Sequence, residues 1–155
     1  MSVVKVKPDA YTKDTDLKNL CAYIVNPEKT LGGYYTFGRG TEPESAFEDF
    51  CEVQELYGKT GGHRAYHIIV SFDEKFAFDA QDGMTIAHQI SEFFYPDYQV
   101  VCGVHVNQGN LHAHFAVNAV SMNPGITRKL HISPECLCEM RKKADAIEKY
   151  CFETE

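Results

Sequence analysis

The chain has 155 residues, 44% hydrophobic and 24% charged, the balance of one globular domain with a real core rather than of a disordered or fibrous chain. No apolar run approaches the ~18 residues of a membrane-spanning helix, and Met1–Lys5 is too short in apolar residues for a signal peptide. The expectation is therefore a cytoplasmic protein with no membrane partner. Six cysteines without a CxxC pair read as reduced thiols, and 15 Lys+Arg against 22 Asp+Glu, a net charge of −7, argues against a generic nucleic-acid-coating protein.

No repeat, low-complexity tract or linker interrupts the chain, so residues 1–155 read as one domain. Alternation over Val3–Lys7 predicts a first strand, stopped by Pro8. A helix follows, capped by Thr15 or Asp16, with Leu17, Leu20, Cys21 and Ile24 on one face and its end near Val25, because Pro27 follows. Leu31–Gly40, rich in Gly and Tyr, reads as a mobile loop or irregular hairpin. Phe47, Phe50, Val53 and Leu56/Tyr57 define a second helix that begins after Pro43 and ends at Gly58. Ala65–Phe72 is a β-branched, alternating strand with His67, Ile69 and Ser71 on one face and Ile68, Val70 and Phe72 on the other. Ile86, Ile90, Phe93 and Phe94 mark a third helix, closed by Pro96. Two runs, Gln99–His105 and Leu111–Ser121, flank a polar turn, and a last helix from about Ser133 carries Leu137, Met140, Ala144, Ile147 and Cys151. The order β-α-α-β-α-β-β-α predicts an α+β fold, a mostly antiparallel central sheet flanked by helices.

The densest chemistry lies between Val104 and Asn118. If Gln108-Gly109 is a two-residue hairpin loop, His105 stands opposite His112, and His114 lies two residues along on the same face. The partner of His114 is then Gly103, which leaves room beside the ring. Opposed Cβ atoms ~5 Å apart let three imidazoles share one ion, while Ala113, Phe115 and Val117 turn to a helix-covered core. Three neutral nitrogen ligands leave open positions on a divalent ion, as catalysis requires. The ligand set alone does not choose among Mn, Mg, Zn, Ni and Co.

With these features the sequence resembles the relaxases, the mobilization nucleases of the HUH endonuclease superfamily. Tyr23-Ile24-Val25-Asn26-Pro27-Glu28-Lys29-Thr30 resembles the first motif, in which the tyrosine is the nucleophile. Tyr66-His67-Ile68-Ile69-Val70-Ser71-Phe72 resembles the second. His105, His112-Ala113-His114 and Asn118 resemble the third, the metal motif, with Asn107 where the family often has an acidic residue. The resemblance spans about residues 3–150. It implies an HUH endonuclease-like fold and a metal-dependent relaxase that nicks one DNA strand at a transfer origin. The tyrosine would attack phosphorus, leaving a 5′-phosphotyrosine and a 3′-hydroxyl. A phenol, with a reference pKa of ~10, needs help for this at neutral pH, and a divalent ion, Mn or Mg first, would polarise the phosphate. By resemblance His67 and Ser71 orient the nucleophile or contact DNA, and His67 is a candidate base. Asn118 either orients a ligand or phosphate or is a structural hydrogen-bonding residue. Lys29 and the Arg128-Lys129 pair are candidate phosphate contacts.

Among the other tyrosines, Tyr34, Tyr35 and Tyr57 could stack on unpaired bases. Tyr150 competes for the nucleophile's role, because rolling-circle replication initiators share the histidine hairpin but carry their tyrosine on a later helix. Two further alternatives are a hydrolase in which the histidine-held ion activates water, and a non-catalytic metal-binding module. The acidic total predicts segregated charge, with Arg128-Lys129 and Arg141-Lys142-Lys143 near the site and the acids of 42–55 elsewhere. It also fits the N-terminal catalytic part of a longer protein. Expected partners are single-stranded or hairpin DNA at the transfer origin and, by resemblance, accessory relaxosome and type IV secretion-coupling proteins.

Overall fold

The computed structural model describes residues 2–73, 79–107 and 109–153, with the backbone alone for 150–153. Among these, strands β1 (Val3–Val6), β2 (Thr36–Arg39), β3 (Ala65–Ser71), β4 (Val100–His105) and β5 (His112–Asn118) form one sheet in the order β1-β3-β5-β4-β2. Every neighbouring pair is antiparallel. Helices α1 (Asp14–Ile24) and α2 (Ala46–Leu56) cover one face, where Leu17, Leu20, Ile24 and Phe50 pack on Ala65, Val101 and Ala116. Helices α3 (Ala80–Ser91) and α4 (Pro134–Glu153) cover the other, where Ile86, Ile90, Met140 and Ala144 pack on Ile68, Val70, Phe115 and Val117. The chain is thus α+β, with a sheet between two helical layers, as its element order predicts. Among the described residues no helix is long and apolar enough to cross a membrane.

The alternation of β3 and β5 decides what each layer receives. Ile68 and Val70 are fully buried against the α3/α4 layer, and each such side chain contributes roughly 1.5–3 kcal/mol of apolar burial. His67, Ile69 and Ser71 face the α1/α2 side, opposite Ala116, His114 and His112 respectively.

Several expectations shift. Helix α1 begins at Asp14, and its N-cap is Lys13 with no side-chain cap, so neither Thr15 nor Asp16 caps it. Asp14 instead meets the Arg64 guanidinium at 2.5 Å, and Asp14 and Asp16 together put negative charge at the positive end of the helix. The Leu31–Gly40 stretch contains strand β2, which pairs with β4 as an edge of the sheet. In α2 the buried face is Ala46, Phe50 and Gln54, and Leu56 is 73% exposed. Gln54 takes the inward position because its amide has buried partners, the Arg64 carbonyl at 3.1 Å and Asn118 Oδ1 at 2.9 Å. Apolar periodicity is blind to a polar residue satisfied in this way.

Candidate active site

The hairpin register is as the spacing predicts: His105 pairs with His112, and Gly103 with His114. Gln108 of the proposed two-residue loop lies outside the described residues. The space opposite His114 is not empty, however. The C-terminal turn of α1 fills it, and a Cβ on Gly103 would overlap the Ile24 carbonyl. That close approach seats the end of α1 on the histidine face. His105 holds it there with a hydrogen bond from Nε2 to the Ile24 carbonyl at 3.0 Å.

Tyr23, one residue earlier and 40% exposed, therefore stands over the cluster. Its ring centroid lies 5.3 Å from His105, 5.5 Å from His114 and 5.8 Å from His67, each edge-to-face. The turn that follows is held locally. The Asn26 side chain accepts from the Glu28 N–H at 3.0 Å, and Thr30 donates back to the Asn26 carbonyl at 2.9 Å. The Val106 N–H then bonds the Lys29 carbonyl at 2.7 Å, fastening the turn to the end of β4. Lys29 in consequence holds its ammonium 5.4 Å from the Tyr23 ring centroid.

His105 and His114 stack at 3.9 Å, and His112 lies 6.4 Å from His114. His114 Nδ1 is 2.9 Å from His67 Nε2. Burial, then the neighbouring His105 and His67, pulls His114 down to about 2. Burial, then the charge of Lys7, pulls His67 down to about 4, and burial also lowers His105. Rings so situated are neutral at pH 7 and so offer lone pairs, the form a metal ion binds. A carbonyl only accepts, so His105 carries its proton on Nε2 and keeps its lone pair on Nδ1. Tyr23, Lys29, Asn107 and the three histidines enclose a cavity of about 50 Å³, roomy enough for an ion or a water. The donor chemistry and the cavity fit a divalent ion. The rings stack rather than converge, and among the described residues no three side chains already form a metal-holding group.

The remaining predicted residues divide. Ser71 pairs with His112 beside the cluster. Asn118 is fully buried at the far end of β5, where its amide bonds Gln99 at 2.8 Å, the Phe50 carbonyl at 3.3 Å, Gln54 and the Val120 N–H. Of the two roles read for Asn118, these partners supply the structural one. Arg128 and Lys129 are not gathered at the cluster: Lys129 bonds the Gly61 carbonyl, and the segment continues through Leu130 and Ile132 onto the α3/α4 core. Arg141–Lys143 lie on α4, while the acids of α2 share the histidine layer. The expected gathering of these basic residues near the site is thereby corrected, and Lys29 instead sets a cation over the Tyr23 ring. Tyr34 is 69% exposed, and Tyr57 donates to the Met122 carbonyl. Tyr150 belongs to α4, in the layer opposite the histidines.

A partly exposed tyrosine at the end of a helix thus stands over a histidine hairpin on an antiparallel sheet. The sequence matches the relaxase family described as "MobA/VirD2-like, nuclease domain" over residues 23–150. It is 28% identical over 88 residues to protein rlx of Staphylococcus aureus, a match that covers 57% of this chain and 27% of that protein. The chain thus spans about a quarter of the length of this curated relative. The fold is similar to a solved structure from work on the molecular basis of vancomycin resistance transfer in Staphylococcus aureus. The TM-score is 0.61 at 13% identity, covering 97% of this chain and 91% of that one. The chain belongs to the MobA/VirD2-like relaxase nuclease-domain family, a family of DNA-nicking enzymes.

Proposed function

We propose that this domain nicks one DNA strand at a transfer origin by a transesterification through Tyr23, in the service of plasmid mobilization. The observation that carries this reading is the Tyr23 ring, partly open to solvent and 5.3–5.8 Å from three buried histidines. The Tyr23 Oη–P bond forms as the P–O3′ bond breaks. The phenolic proton leaves to solvent, and the departing 3′-oxygen takes one up. Storing the phosphodiester on tyrosine keeps the step reversible, so the strand can be rejoined later.

His105, His112 and His114 would hold a divalent ion, Mn or Mg first among the candidates. When bound, the ion supplies positive charge to the non-bridging phosphate oxygens as negative charge builds there. Lys29 adds a second positive charge on the same side of the phenol. His67 acts as a positioning residue. Its hydrogen bond to His114 Nδ1 fixes that ring's orientation and tautomer, as outer-shell partners of metal-bound histidines do. Burial holds His67 at about 4, which makes it a weak proton acceptor and supports this role over that of base. Ser71, next to His112, is left as a DNA contact, and Arg128 and Lys129 would meet outlying phosphates. The DNA would be single-stranded or hairpin DNA. Accessory relaxosome and secretion-coupling proteins would act through the longer protein of which relatives give the example.

The test is an SDS-stable adduct between this chain and a single-stranded oligonucleotide carrying its transfer origin, formed with Mn or Mg and mapped by mass spectrometry. Tyr23→Phe and His112→Ala each abolish it, and Tyr150→Phe leaves it intact. Strand cleavage that survives Tyr23→Phe but not His112→Ala would mean hydrolysis by activated water. Loss of the adduct only in Tyr150→Phe would move the nucleophile to α4.

A further inference from the structure

A second, larger cavity adjoins Tyr23 and has no part in the reaction above. It measures about 510 Å³, within the roughly 300–1,000 Å³ of small-ligand clefts. One wall is a single face of α1, Asp16, Asn19 and Tyr23 at spacings of three and four. The other is the connection from β1 to α1, which supplies Lys7, Asp9 and Tyr11, and His67 also lines the space. Tyr11 has φ 53°, a left-handed conformation that bulky residues adopt at a cost and that clusters at functional sites. Burial, then the charge of Asp9, pushes its hydroxyl up to about 12, so it remains a neutral donor.

The chemistry of this lining disfavours one part of DNA and suits another. Two carboxylates against the single ammonium of Lys7 leave the lining net negative, which disfavours a phosphate inside and leaves the backbone to Lys29 on the other side of the phenol. A base is neutral, has faces on which Tyr11 and Tyr23 can stack, and has an edge for Asp and Asn to read. Guanine offers adjacent N1–H and N2–H donors that a carboxylate accepts in parallel. Thymine sets a carbonyl oxygen on each side of its one N–H, and both oxygens would face the carboxylates.

We propose that this cavity is a recognition subsite for one unpaired nucleotide adjoining the cleaved phosphate, with Asp9 and Asp16 selecting guanine over thymine. The inference rests on Tyr23 being the nucleophile, since that sets the cavity beside the reacting phosphorus. It adds a source of sequence preference that the histidine hairpin, which meets only phosphate, does not supply.

The test is an amide NMR titration of the whole chain in EDTA with the trinucleotides dTdGdT and dTdTdT. The expected result is about tenfold tighter binding of dTdGdT, a modest return for a two-hydrogen-bond contact, with shifts centred on Tyr11, Asp16 and Asn19. Replacing the guanine by hypoxanthine, which lacks the N2 amine, loses most of that preference. The double substitution Asp9→Asn with Asp16→Asn brings dTdGdT and dTdTdT within about twofold of each other. Equal affinities for the two trinucleotides, no loss with hypoxanthine, or no shifts at these residues would each overturn the proposal, whether or not the double variant folds. Such a failure with an intact Tyr23 adduct removes the subsite and leaves the nicking reaction standing. An adduct on another tyrosine removes the reaction itself.

Discussion

Replacing Gly103 by alanine tests the geometry on which the site depends. An added Cβ would overlap the Ile24 carbonyl oxygen and approach the carbonyl carbon at 3.0 Å and Thr30 Cγ2 at 3.2 Å. Two of these atoms are backbone, so no flexible side chain can yield. Ile24 is fully buried and its carbonyl oxygen would lie 1.9 Å from the new Cβ, so helix and strand must part by about 1.5 Å before ordinary contact returns. Overpacking of this kind costs about 1–3 kcal/mol. The movement also breaks the His105–Ile24 hydrogen bond and lifts Tyr23, the preceding residue, from the histidines. A displacement of about 1 Å at a reacting group costs about a hundredfold in rate. Urea unfolding measures the first quantity, and the rate of adduct formation on an oligonucleotide that the parent cuts measures the second. A Gly103→Ala protein that keeps its adduct rate within about threefold would show that the seating of α1 on β4 does not position Tyr23 for the proposed reaction.

Other outcomes follow from the same contacts. Asn118→Ala strands Gln54, Gln99 and the Val120 N–H in a buried site, and should lower urea-unfolding stability by about 2–4 kcal/mol; a neutral result would mean those groups find other partners. Leu56→Gln should change stability by no more than about 0.5 kcal/mol, because this leucine lies on the outer face of α2. In EDTA, stability should fall as pH drops below 6.5. His67, His105 and His114 all sit below their ordinary value when folded, so the unfolded chain binds more protons there. The fall continues to about pH 4 for His67, with less than about 1.4 kcal/mol per pH unit from each ring after solvent screening. His114→Gln should flatten that slope in urea midpoints taken between pH 7 and 5, and an unchanged slope would refute the assignment.

Local patterns in the sequence carried most of the fold because their causes are local. Period-two alternation in Ala65–Ser71 sets His67 against Ile68, and the short polar turn after His105 sets the register of His105 on His112. Pro27 stops α1 at Ile24, and Asn26 and Thr30 close the turn that carries Lys29. What escaped this reading depends on partners distant in the chain. Gln54 turns inward for Asn118, 64 residues away. β2 is a strand because β4 offers it a free edge. Asp16 and Asn19 share the helix face of Tyr23, a spacing visible in the sequence, but the cavity they line exists only once Tyr11 folds across from them.

The sequence alone therefore determined the inventory and its alternation: three imidazoles on one side of a hairpin, and a tyrosine at the end of an amphipathic helix. Both follow from side-chain direction along a strand or a helix, which neighbours in the chain dictate. Tertiary structure decided where the two meet. Only packing puts the Ile24 carbonyl on Gly103, leaves Arg128 and Lys129 away from the cluster, and buries His114 until its ring is neutral. Those outcomes come from exclusion of water and from close contact between segments far apart in the chain, neither of which hydropathy along the chain encodes.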